Sequence, residues 1–119
     1  MVRSFMQCVL FKQYLVEPIL NGTKTETRRL WKRCLVKVGG TYKAKTNFRN
    51  SSAFATIMIT YIRKERLGNI DAYGVEKEGC KSFDEFKQNW MDSYSSWQPD
   101  AQVFVIGFRL VGSDWIGLI

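Results

Sequence analysis

Residues 53–62 read Ala-Phe-Ala-Thr-Ile-Met-Ile-Thr-Tyr-Ile, ten residues that are mostly β-formers. Branched and aromatic side chains fit a pleated surface and lose rotamer freedom in a helix, so this run commits the chain to a sheet. Gln102 to Val111 is almost continuously apolar. It predicts a last strand covered on both faces, hence central in that sheet.

The other elements are short. Phe5 to Phe11 predicts a first strand and Gln13 to Asn21 a short helix, with Pro18 in its first turn. Gly22 suits the left-handed stop of that helix. Thr25 to Trp31 predicts a second strand, Gly39-Gly40 a turn, and Thr41 to Lys45 a third strand. Asn47 to Ser52 is a polar loop. Asp71 to Glu78 predicts a helix stopped by Gly79. Ser82-Phe83-Asp84-Glu85 forms a capping box, with the Ser hydroxyl accepting from the third amide and Glu85 reaching back. Phe83, Phe86, Trp90 and Tyr94 follow at helical spacing as one apolar, core-facing stripe. Strands and helices do not alternate as βαβ units, so the expected class is α+β: a small barrel of five or six strands with two or three short helices.

The chain has 119 residues, which suits one domain. No stretch approaches the ~20 apolar residues of a membrane-spanning helix. The start does not read as a signal peptide, so the expectation is a cytoplasmic protein without a membrane partner. Cys8, Cys34 and Cys80 are odd in number and widely spaced, which predicts buried free thiols rather than disulfides. The chain contains no histidine. Histidine acid–base chemistry, Ser-His triads and His-ligated metals are excluded, and three scattered thiols make a poor zinc site. Neither metal nor cofactor is expected. Catalysis, if any, falls to Lys, Thr, Tyr, Ser or carboxylates.

Charge is distributed unevenly. Residues 1–66 hold 14 Lys and Arg against 3 Asp and Glu, a charge of +11, whereas residues 67–119 hold 4 against 8, a charge of −4. A basic half of this kind attracts phosphates, although a merely solvated charged face has the same composition. Aromatic residues are interleaved with the cations: Trp31 among Arg28, Arg29, Lys32 and Arg33; Tyr42 beside Lys43 and Lys45; Phe48 beside Arg49. Cations that hold a backbone and rings that stack bases are the recurring parts of single-strand recognition. These ten positions, together with Lys24, are the expected RNA contacts.

Gly22-Thr23-Lys24-Thr25-Glu26-Thr27-Arg28-Arg29 fits the pattern Gly-x-Lys-x-x-Thr-x-Arg. In that pattern, and in Arg66 to Ile70, Glu78-Gly79, Ser82 to Trp90 and Asp100 to Phe108, the chain resembles archaeal-type sequences of the ASCH family from about Phe5 to Val111. The resemblance implies a PUA-like barrel over residues 1–112; apart from it, an exposed Trp97 or the apolar tail, 113–119, suggests a dimer contact. It implies a cleft lined by the motif and a ligand that is RNA, a nucleotide or a nucleoside. One branch hydrolyses the acetyl amide of N4-acetylcytidine with a Lys, a Thr and a downstream Glu, which correspond to Lys24, Thr27 and Glu78; another branch is linked to RNA cleavage. This chain differs by greater length, by the basic-aromatic stretch from Trp31 to Lys37 and by the tail.

In such a reaction Thr27 would be the nucleophile, Lys24 its base if burial or neighbouring cations made it neutral, and Glu78 the relay. Each also has a plainer role: Thr27 as a strand packing residue, Lys24 as a phosphate or base contact, Glu78 as a helix-end ion-pair partner. In a regular strand Lys24 and Thr27 point to opposite faces, whereas Thr27 and Arg29 share one. Lys24 therefore has to lie in the turn after Gly22 to reach their pocket.

Overall fold

The structure is a computed structural model that describes residues 8–47, 49 and 52–113. Strand β1 (Cys8–Leu10) leads through a 3-10 turn (Gln13–Leu15) into helix α1 (Val16–Leu20). Strands β2 (Glu26–Arg29), β3 (Thr41–Lys45) and β4 (Ala55–Arg66) follow, then a second 3-10 turn (Leu67–Asn69), helices α2 (Ala72–Lys77) and α3 (Phe83–Tyr94), and strand β5 (Gln102–Ser113). One five-stranded sheet has the order β1-β3-β4-β5-β2, with β1 and β3 parallel and every other pair antiparallel. The chain is thus α+β, as the spacing of its elements predicts. The expected first strand ends at Leu10 rather than Phe11, its residues 5–7 lying outside the described residues, and the expected helix Gln13–Asn21 is divided into a 3-10 turn and a short α-helix that ends at Leu20.

The two longest strands, β4 and β5, are the two that the β-forming runs predict. They form the backbone of the sheet, and β5 is an interior strand. Strand β4 continues four residues past Ile62 through Arg63, Lys64, Glu65 and Arg66. A charged run looks like a strand end, but here its side chains find partners across the sheet. Register shifts at Thr56/Ile57 and Ile59/Tyr61 mark bulges. Bulges bend a strand and increase its twist, which coils a long ribbon of this kind.

Coiling brings the sheet's two edges together. Among the described residues β1 and β2 share no ladder, yet the Arg29 guanidinium on β2 donates from Nη2 to the Leu10 carbonyl at the end of β1, at 2.8 Å. The same group lies 5.0 Å from the centre of the Phe11 ring. A side chain therefore closes the barrel where backbone pairing stops. One core, including Val9, Phe11, Ile19, Tyr42, Ile57, Ile59, Ile106 and Phe108, fills the barrel. A second, built from Leu67, Ile70, Val75, Phe86, Trp90 and Val103, seats α2 and α3 against it. Each fully buried Ile or Leu in them contributes about 1.5–3 kcal/mol.

The caps follow the sequence with one shift. Asp71 caps α2 by accepting from the Gly74 amide at 2.8 Å, and Ser82 Oγ accepts from the Glu85 amide at 3.1 Å. Glu85 reaches back one residue further than a capping box requires, accepting from the Lys81 amide at 2.7 Å. Phe86 and Trp90 are core, but Phe83 at the head of the stripe is exposed, its ring edge-on to Trp97. Trp97, expected to be an exposed contact, is half-buried, edge-on to Phe83 and Phe86. The tail contact, beyond residue 113, lies outside the described residues.

Gly107 on β5 pairs with Glu26 on β2 and with Tyr61 on β4. Lacking a side chain, it leaves a gap across which the Tyr61 ring lies to reach the Glu26 carboxylate. A Cβ at residue 107 would fall 2.2 Å from that ring. Gly107→Ala is expected to displace Tyr61 and destabilise the protein by about 1–3 kcal/mol in urea unfolding, more than Tyr61→Phe, which deletes only the hydrogen bond. Equal costs would mean that the ring can leave the gap freely.

Candidate nucleotide site

Strand β2 has charged and polar side chains where a core strand has apolar ones: Glu26, Thr27 and Arg28 are all buried. Buried charges have to be paired, and these are. Thr27 and Arg29 share one side of the strand, where Arg29 Nε donates to Thr27 Oγ1 at 3.0 Å. Glu26 and Arg28 share the other, joined at 3.0 Å. Lys24 precedes the strand, in the turn that Gly22 allows at φ +83°. The geometric condition set by the sequence is met: Lys24 and Thr27 line one cavity.

Glu78, at the C-terminal end of α2, is the hub. Its Oε1 accepts from Lys24 Nζ at 2.7 Å and its Oε2 from Arg28 Nη1 at 3.1 Å. Gly79, at φ +85°, turns the chain there; a Cβ on it would stand 3.1 Å from the Lys24 Cβ. Lys24 Nζ also donates to the carbonyls of Glu26 at 2.7 Å and Glu78 at 3.1 Å. On β4, Glu65 accepts from Arg28 Nε at 2.9 Å and from Arg63 at 2.8 Å, and Arg63 lies 3.7 Å from Glu26. Three cations (Lys24, Arg28, Arg63) thus interlock with three carboxylates (Glu26, Glu65, Glu78), and the network is neutral. Arg28 Nη2 is buried without a partner among the described residues, pressed against Gly74, where a Cβ would come within 2.7 Å.

Burial lowers the Lys24 ammonium below the ordinary lysine range, against the pull of Glu78. Burial also lowers Arg29. For Arg28 burial works against the charge, but Glu78 and Glu65 outweigh it and raise its value. For Glu65 burial is likewise outweighed, and the hydrogen bonds from Arg63 and Arg28 hold its carboxyl below the usual range. Burial and Glu26 push Tyr61 up to about 12. Burial and Glu78 push the Cys80 thiol up to about 11. An ammonium has three protons, and all three on Lys24 are donated to protein oxygens. With all three protons in use, Lys24 can take a proton from Thr27 only after it has given one up.

The cavity measures about 380 Å³. Lys24, Thr27, Arg28, Arg29 and Glu78 form its polar wall, and Tyr14, Phe86, Trp90 and Tyr94 its aromatic one. Sequence reasoning missed Tyr14, Asn89 and Ser93 in this wall; α3 periodicity places Asn89 and Ser93 beside Phe86 and Trp90. It also missed Glu65 and Arg63, whose alternation in a longer β4 was the available signal. The structure separates the expected RNA contacts. Lys32, Arg33, Lys43 and Arg49 are exposed, and Lys45 is half-buried. Arg28 is no surface contact, because its guanidinium is committed to the network. Tyr42 is no stacking platform: it is buried, and its hydroxyl accepts from the Lys37 amide at 3.0 Å. Trp31 is half-buried, 6.3 Å from Phe104. Phe48 lies outside the described residues. No group of His, Cys, Asp and Glu among the described residues could hold a metal ion.

No protein-family model matches this sequence, and no curated protein matches it. Solved structures do. An ASCH domain from Lactobacillus crispatus gives a TM-score of 0.65 at 16% identity, over 88% of this chain and 77% of that one. A DUF984 protein from Enterococcus faecalis gives 0.66 at 16% identity, over 86% and 72%. A variant ASCH protein from Zymomonas mobilis gives 0.59 at 13% identity, over 86% and 67%. The chain shares its fold with these ASCH-domain structures.

Two measurements check the site. Glu78→Gln removes the charge that balances Lys24 and Arg28, and is expected to cost about 3–5 kcal/mol in chemical unfolding. Cys80, raised in the fold, stays a thiol while the unfolded chain ionises. Its stabilising contribution is therefore complete below the ordinary thiol value of 9.0 and is lost as pH rises towards about 11. Cys80→Ala is expected to flatten the unfolding profile in that window; an unchanged profile would count against the buried thiol.

Proposed function

We propose that this chain is an ASCH-family protein, of the archaeal type, that binds RNA or a nucleotide fragment in the cavity between β2 and α3. The observation that carries this reading is the convergence of Lys24, Thr27, Arg28, Arg29 and Glu78 on one cavity faced by Tyr14, Phe86, Trp90 and Tyr94. Apolar walls with a few convergent polar groups are the usual composition of a ligand site, and about 380 Å³ suits a single nucleoside unit rather than a length of strand. Exposed Lys32, Arg33 and Arg49 supply phosphate contacts outside it. Three unpaired thiols fit a reducing, cytoplasmic setting. No helix among the described residues is long and apolar enough to cross a membrane.

The salt dependence of binding to a short single-stranded RNA tests this. Lys32→Ala with Arg33→Ala is expected to weaken binding about tenfold and to reduce the magnitude of the log–log salt slope by ~1.4. Arg28 is excluded from this set because its loss would disturb the fold. An unchanged slope would remove that surface from the RNA path.

A second reading, amide hydrolysis of an N4-acetylcytidine-like nucleoside, is favoured by the presence of Lys24, Thr27 and Glu78 in one wall. The reaction adds water across the amide and releases acetate and cytidine. For Thr27 to attack, Lys24 must first pass a proton to Glu78 and then take the Thr27 proton. Cytidine release by the native chain and none by Thr27→Val would support this reading. No release by either leaves binding alone.

A further inference from the structure

The cavity has a charge imbalance that the ion network does not absorb. Four cationic side chains line it, Lys12, Lys24, Arg28 and Arg29, against one carboxylate, Glu78. Lys24 and Arg28 belong to the neutral network and are answered by Glu78, with Glu26 and Glu65 behind. Neither Arg29 nor Lys12 has a carboxylate in direct contact among the described residues, and Glu78 acts on Arg29 only from a distance. Among the described residues Arg29 bonds only to neutral acceptors, the Thr27 hydroxyl and the Leu10 carbonyl, and Lys12 forms no ion pair. Arg29 is at the seam of the barrel, and Lys12 is exposed at the start of the turn that carries Tyr14. A guanidinium taken partly out of water without a carboxylate is costly, and an anionic ligand relieves that cost.

We infer that the cavity is built for a phosphomonoester: a nucleoside whose terminal phosphate sits between Arg29 and Lys12 while its base lies against the aromatic wall of Tyr14, Trp90 and Tyr94. This rests on the binding reading above and narrows it. A phosphomonoester has a charge of about −1.5 to −2 at neutral pH, which matches two uncompensated cations. An internal RNA phosphodiester has one charge and matches only one of them. Arg29 uses Nε and Nη2 on the protein, so the remaining guanidinium protons are left for phosphate oxygens. The ligand is either a free mononucleotide or the phosphorylated end of an RNA.

The test is calorimetric titration of the full chain with the four nucleosides, their 5′- and 3′-monophosphates, and inorganic phosphate, at low salt. At least one monophosphate is expected to bind about tenfold or more tighter than its nucleoside. Lys12→Ala, a substitution at an exposed position, should reduce that ratio about threefold. Equal affinities for nucleoside and monophosphate would overturn the inference and leave the base pocket standing. Inorganic phosphate binding as tightly as any nucleotide would remove the base from the ligand and overturn both readings. RNA octamers with and without a terminal phosphate separate the two sources. Tighter binding of the phosphorylated octamer identifies an RNA end. Octamers that are equal to each other and weaker than the mononucleotide identify a free nucleotide. Equal octamers that bind more tightly than every mononucleotide would overturn the inference.

Discussion

The Glu78 carboxylate bridges Lys24 and Arg28, and through them it joins α2 to β2. The backbone adds a second tie, from the Thr25 amide to the Lys77 carbonyl at 2.7 Å. Because β2 is an edge strand with a single ladder partner, its position depends on what holds its outer side chains. The carboxylate holds them, and the cavity opens beside this joint, between β2 and α3. Ion pairs this deeply buried are weak evidence for stability, since well-packed apolar groups do as well. What they add here is a set of charges fixed in space beside a ligand-sized opening.

The neutrality of the network explains why a strongly basic chain does not present all of its basicity. The motif cation Lys24 and its neighbour Arg28 are consumed internally, and Arg63 with them. The positive potential available to a ligand therefore comes from side chains outside the network, such as Lys12, Arg29, Lys32 and Arg33. This is a smaller and more localised field than the +11 of the first 66 residues suggests.

Much of the fold was legible because local chemistry and global architecture agree. Residues Thr41 to Lys45 between a glycine turn and a polar loop, the Asp71 and Ser82 caps, and the glycine stops at Gly22 and Gly79 each act within a few residues of themselves. The site was legible where a turn set direction, as for Lys24 and Thr27. It was not legible where partners are distant in sequence. Nothing near Arg28 announces Glu65, 37 residues on. Tyr42 looked like a stacking ring because its neighbours are cations, but in a strand alternate residues face opposite ways, and Lys43 points out where Tyr42 points in. Composition cannot distinguish those two faces; register can.

The seam between β1 and β2 bears on the protein's behaviour at high concentration. An edge strand with open backbone groups is a template for a strand from another molecule, and many proteins blunt such edges with charge. Here each edge is turned towards the other, and Arg29 occupies the Leu10 carbonyl that a foreign strand would need. A desolvated cation at an edge repels a second copy of itself. Loss of this side chain would unmask two edges at once, so the resulting failure is self-association and not only a looser monomer. The residue proposed to meet a ligand is also the one that keeps the sheet from recruiting another chain.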